Sequence, residues 1–244
     1  MTAQQPKIPR DSKAGPGKAA RPAWLHNPAL PRIAPFAAYM AFIAIADLLG
    51  RMGWSSADLL WLYPAKIAIV VALMACCWPR YVELRTWRLG INGVLTAVAA
   101  GVVVFVLWIN LDAQWMQVGT SAGYAPLRPD GGIDWLLVAC RLAGAALVVP
   151  LMEELFWRSF LQRWLAKVDF LSCAPAAVGV KALLIASVLF GIEHHLWFAG
   201  VVAGLVYGFL YMRTGNLWSP IIAHAVTNAM LGAWVLITGS WTYW

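Results

Sequence analysis

The stretch LMEELFWRSF, residues 151–160, places Glu153, Glu154 and Arg158 inside one of the most apolar regions of the chain. An ionised side chain at the centre of a bilayer costs about 2.5–3.5 kcal/mol on insertion scales, so three within six residues need a reason. On a helix Glu154 and Arg158 are four apart, share a face and can pair. Glu153 lies about 100° further round the axis and is left as a free carboxylate, the group a general base requires. Two more polar clusters follow. FGIEHH supplies Glu193, His194 and His195, with Phe190 four residues before His194 and able to pack on its ring. HAVTN supplies His224 and Asn228, one turn apart on a shared face. An imidazole can bind or polarise a water, and a carboxamide can donate two N–H bonds to a developing oxyanion. Taken singly, each cluster also fits a structural role. The first could be solvated charge where a helix leaves the membrane, the second a histidine pair capping a helix end, the third an interhelical hydrogen bond. Convergence of all three on one pocket is the single explanation that covers them.

Those groups must be carried by helices. Of the 244 residues 61% are hydrophobic and 12% charged, against about 45–50% and about 25% in a soluble domain. Mean hydropathy is +0.69. Several runs approach or exceed the roughly 20 residues that cross a hydrocarbon core, and the fifteen tryptophans suit membrane–water interfaces. The expected fold class is therefore all-α, a polytopic transmembrane helix bundle of seven or eight helices. The runs are residues 33–49, 59–78, 91–111, 133–165, 176–192, 197–212 and 217–237. The fourth, about 50 Å long as a helix, must tilt, kink or leave the membrane; a break at Pro150 would make the count eight.

Three regions follow: a disordered basic tail over 1–31, transmembrane helices over 32–132, and the polar-bearing helices over 133–244. Lys7, Arg10, Lys13, Lys18, Arg21 and Arg32 precede the first run against the single acid Asp11, which suits a cytoplasmic tail near anionic lipid. Arg80, Arg85 and Arg88 put the loop after the second run on the same side, so the N-terminus is expected in the cytoplasm. The tail lacks the apolar core of a cleavable signal peptide. The net charge of +7 comes without any nucleic-acid motif, so no nucleic-acid partner is expected. Cys76, Cys77, Cys140 and Cys173 lack zinc-site spacing and read as buried reduced thiols.

In order and spacing, Glu153-Glu154-x-x-x-Arg158, Phe190-x-x-x-His194 and His224-x-x-x-Asn228 resemble the three motifs of the CAAX protease and bacteriocin-processing (CPBP, or Abi) family. This family of intramembrane proteins includes the type II CAAX prenyl endopeptidases. The motif region covers a little under half the chain. The overall layout also resembles the CAAX-prenyl-protease-related proteins associated with bacterial exosortase systems. The resemblance implies a metal-independent glutamate protease without a cofactor, acting on a membrane-associated protein or peptide. Glu153 would activate water with help from His194, while His224 and Asn228 would stabilise the oxyanion. Glu154 and Arg158 would support them, with Phe190 beside His194. Glu193 and His195 lie outside the pattern and leave open which histidine faces the pocket. Substrate would arrive from the side or the cytoplasmic face, and a bacterial inner membrane suits the layout. Three rivals stand: a zinc metalloprotease, although H-E-x-x-H spacing is lacking; a non-catalytic scaffold or immunity-type protein; and a transporter, although repeated halves are lacking.

Overall fold

The computed structural model describes residues 27–121 and 123–244. Most of the expected tail, residues 1–26, therefore lies outside the described residues. Seven helices follow, and among the described residues there is no β-strand, so the chain is an all-α helix bundle. We label them α1 Leu30–Arg51, α2 Leu62–Cys77, α3 Ile91–Trp108, α4 Trp135–Ala166, α5 Gly179–Ile192, α6 Trp197–Thr214 and α7 Trp218–Thr238. Five of them, α1, α2, α3, α4 and α7, are long and apolar enough to cross a membrane. Exposed tryptophans mark both ends of the bundle. Trp54, Trp61, Trp115 and Trp135 lie at one end and Trp78, Trp87 and Trp164 at the other, as interfacial belts require.

The fourth run is one unbroken helix. It is π-helical over Gly144–Val148 and again over Leu155–Gln162. Proline lacks an N–H and clashes with the carbonyl four residues back. The wider turn just before Pro150 removes that demand, so α4 continues where a regular α-helix would kink. Asp134 starts the helix by accepting from the backbone N–H groups of Leu136 and Leu137, both at 3.1 Å.

Helix α5 is held against α6 by small residues. A Cβ on Gly191 would meet Val201 at 2.4 Å, and one on Gly204 would meet Ser187 Cα at 2.8 Å. Backbones approach this closely in membranes only where side chains are absent or short. On α7, the most buried of the five long helices, Thr227 donates its hydroxyl to the Gly101 carbonyl of α3 at 2.9 Å.

Two expectations are corrected. Arg32 belongs to α1 rather than to the tail, and only 1% of it is exposed. It grips Glu83, 51 residues away, through Nε at 2.8 Å and Nη2 at 2.6 Å. The Ser159 hydroxyl also donates to Glu83, while Arg163 bonds the Cys173 and Leu171 carbonyls at 2.9 Å each. Buried charge is tolerable only when so paired. All four cysteines are free, but only Cys173 is buried and Cys76 is exposed. An outward helix face in a bilayer is as apolar as an inward one, so hydrophobicity alone does not tell the two apart.

Candidate active site

Residues from four helices converge between α4 and α7. One cavity of about 160 Å³ is lined by Glu153 of α4, Phe190 of α5 and His194 just past its end, and by His224 and Asn228 of α7. Tyr207 of α6 closes one wall. The cavity sits toward the end of the bundle where α3 finishes and α4 begins, since Trp108, Arg141 and Trp244 also line it.

The carboxylates occupy two different environments. Glu154 is fully buried; its Oε2 pairs ionically with Arg158 Nε at 3.2 Å without a hydrogen bond, and its Oε1 accepts from His224 Nδ1–H at 3.0 Å. It is thus committed to two cationic or polar neighbours. Arg158 in turn lies with its guanidinium carbon 4.4 Å from the Phe190 ring centroid. Glu153, with 6% exposure, has one oxygen buried without a hydrogen-bond partner among the described residues. His224 Nε2 lies 4.0 Å from that oxygen. Such an orphaned buried acceptor in a cavity wall is costly to the fold and available to a ligand.

The imidazoles are fixed by their other nitrogens. His194 Nδ1–H donates to the Phe190 carbonyl at 2.7 Å, which leaves Nε2 with a lone pair. Its ring packs on Phe190 with centroids 4.7 Å apart and edge-on to Trp108 at 5.3 Å. His224 stacks on Tyr207, 5.0 Å between centroids and 20° from parallel. The Tyr207 hydroxyl donates to Thr227 at 2.7 Å, so the stacking partner is itself locked. Asn228 gives one N–H to the Ala145 carbonyl at 2.8 Å, inside the π-helical turn of α4. The second N–H of its carboxamide remains for the cavity.

His195 is not part of this group. Its ring nitrogens bond the Val118 carbonyl at 2.7 Å and the Gln117 side chain at 3.1 Å, in the segment between α3 and α4. Glu193, by contrast, belongs to it. Glu153, Glu193 and His194 bring one donor atom each within 4.8 Å of one another, close enough to share a divalent cation. The indole N–H of Trp157 donates to Glu193 at 3.1 Å and aims its carboxylate inward. The motif spacing passes over Glu193. The sequence signal that could have found it is a carboxylate just beyond the last helical residue, beside the histidine of the same cluster.

The fold and this arrangement define a class: a membrane-embedded helix bundle with a buried acid–imidazole cavity. Residues 135–230 match the model of the type II CAAX prenyl endopeptidase Rce1-like family, a span that begins with α4 and ends within α7. The resemblance carried by the three motifs is thereby borne out. The chain is also similar to a Bacillus subtilis protein described as "Putative membrane peptidase YdiL". Identity is 33% over 91 residues, covering 36% of this chain and 34% of that protein. The chain therefore spans about a third of the length of that relative. No solved structure matches it.

Proposed function

We propose that the chain is an intramembrane endopeptidase that hydrolyses a peptide bond of a membrane-associated protein with an acid-activated water. The observation that carries this reading is the convergence of Glu153, His194, His224 and Asn228 on one cavity, with Glu154 already committed to Arg158 and His224. Glu153 takes a proton from water as the oxygen attacks the scissile carbonyl, and His194 Nε2 helps to hold that water. His224 turns its Nε2–H to the oxyanion, with one proton held in the Nδ1···Glu154 hydrogen bond, while Asn228 donates its free N–H. The proton on Glu153 then passes to the leaving amine as the C–N bond breaks, and the carboxylate is restored. Fixed donors act strongly here because the groups are held in place between packed helices, away from bulk water.

Basic residues support a cytoplasmic N-terminus in a bacterial inner membrane. Arg80, Arg85, Arg88, Arg163, Lys167 and Arg213 all lie at the end where α1 begins. With that sidedness the cavity lies nearer the end of the bundle away from the cytoplasm, and of the two expected routes entry from the side suits it better. The test is purified protein with a panel of membrane-anchored peptides, comparing the unmodified chain with Glu153→Ala and His194→Ala. Equal cleavage by all three sinks the assignment.

A second reading, a metalloprotease, is favoured by the Glu153–Glu193–His194 cluster alone. The Phe190 carbonyl orients His194 as a ligand's partner would. Activity that persists in a strong chelator rules it out; activity lost to chelation and restored by zinc replaces the first reading.

A further inference from the structure

Helix α6 carries none of the three motifs, yet it borders the cavity through Ala203 and Tyr207. Tyr207 is 1% exposed and faces both side chains that meet Glu154. Its ring stacks on His224, and the Arg158 guanidinium carbon lies 5.4 Å from its centroid. Phe190 meets the same two from its own side, with Arg158 over its face at 4.4 Å and His224 at a right angle, 6.1 Å between centroids. The imidazole and the guanidinium thus share a slot between two aromatic rings.

Stacking alone does not explain the tyrosine hydroxyl. A phenylalanine ring would stack as well, and a phenol buried without a partner is costly. The hydroxyl belongs to a relay. It donates to Thr227 Oγ1 at 2.7 Å, and Thr227 donates in turn to backbone carbonyls, Gly101 of α3 at 2.9 Å and Ala223 of α7 at 3.1 Å. Thr227 has a single hydrogen to give, so Tyr207 has to be the donor between them and the direction of the relay is fixed. Gly101 makes the link possible: a Cβ there would overlap the Ala223 carbonyl and stand 2.8 Å from Val226 Cβ. Helices α3, α6 and α7 are thereby tied together beside the His224 ring.

His224 needs that fixing because of what one hydrogen bond leaves free. The bond from Nδ1 to Glu154 anchors one edge of the imidazole. It leaves the plane free to rock, and Nε2 on the far edge swings with it. Misplacing a reacting group by about 1 Å can cost about 10²-fold in rate. A stacking partner whose own rotation is blocked supplies the missing constraint. We propose that Tyr207, held by Thr227, is a positioning residue that sets the plane of His224 and so aims Nε2–H at the oxyanion. This rests on the peptidase reading, and it assigns Tyr207 to the chemical step rather than to substrate affinity.

The test uses the full chain in nanodiscs with two probes. One is the most readily cut peptide of the membrane-anchored panel; the other is its phosphinate twin, which carries a tetrahedral anion in place of the scissile amide. Tyr207→Leu should lower kcat about 10²-fold with KM held within about twofold, and should weaken phosphinate binding by a factor similar to the loss in kcat. Tyr207→Phe keeps the aromatic face and loses the relay, so its kcat should fall only about three- to tenfold. Thr227→Val should match Tyr207→Phe, and the double variant should lose no more than either, because both break the same link. A change in KM without one in kcat, equal phosphinate affinity throughout, or independent losses at Tyr207 and Thr227 overturns the proposal. Should the thermal midpoint show Tyr207→Leu to be unfolded, Tyr207→Phe, Thr227→Val and their combination decide alone. Normal turnover by Tyr207→Leu refutes the positioning role and leaves the peptidase reading standing. An unmodified chain that neither cuts the panel nor binds the phosphinate more tightly than the peptide refutes the peptidase reading, and the positioning role falls with it.

Discussion

Two buried charge clusters share helix α4, and they are built to opposite specifications. Near the end where α1 starts, Glu83 is held by Arg32 from two nitrogens and by the Ser159 hydroxyl, with Arg163 bonded to backbone carbonyls behind it. None of those side-chain polar atoms is orphaned among the described residues. Fewer than two turns away, Glu153, Glu154 and Arg158 each keep a buried polar atom without a partner. The first cluster has spent its hydrogen-bonding capacity on the fold. The second retains capacity beside a cavity, and a fold tolerates that only under the rigid support of its neighbours. Saturation, rather than charge or burial, is what separates the structural group from the candidate site.

The sharpest way to break that comparison is Glu153→Gln. Hydrolysis of a membrane-anchored peptide should fall by about 10²–10⁴-fold, the usual worth of a positioned acid–base group, with the thermal midpoint in detergent unlowered. A variant that cleaves normally would move the unsaturated cluster into the structural class. Arg32→Met should do the opposite. Removing one partner of a buried pair costs about 3–5 kcal/mol, seen as earlier thermal unfolding, while activity per folded molecule holds. Asn228→Leu is expected to lower turnover by roughly 10²-fold, as loss of one oxyanion donor does, with a smaller effect on KM.

The smallest effect is a pH dependence. Burial pushes the Glu83 carboxyl up, but the Arg32 guanidinium and the Ser159 hydroxyl outweigh it and hold the group below its ordinary value. The stabilisation is therefore complete above the unfolded pKa and drains away as pH falls through the lower folded value. Thermal midpoints between pH 7 and pH 3 should drop in the unmodified chain, and this contribution to the drop should vanish in Glu83→Gln.

Much of this was legible in the chain itself. Apolar runs located all seven helices, because membrane length and hydropathy leave few alternatives. Four-residue spacing paired Glu154 with Arg158, which the structure places 3.2 Å apart. Illegible were contacts set by where helices stop and turn. Glu193 reaches Glu153 only because α5 ends at Ile192, and nothing periodic marks that end. Arg32 looked like tail because its carboxylate lies 51 residues on, in a short loop. The gathering of Lys66 and Arg141 around the Tyr63 ring was hidden for the same reason. Lys66 and Arg141 are each unremarkable alone and meet only when α2 packs on α4.

The widened turn at Gly144–Val148 acts as a phase corrector. Four-residue steps on a regular helix overshoot by about 40° each, so Arg141 and Glu153 would diverge by about 120° after three. One surplus residue in the turn takes back about 100° and returns both ends to a common meridian. The gene therefore carries a vernier at this place. Deleting a single codon there would relax the turn to regular α-helix and, because eleven regular steps also come round to within about 20°, would leave both ends on one face.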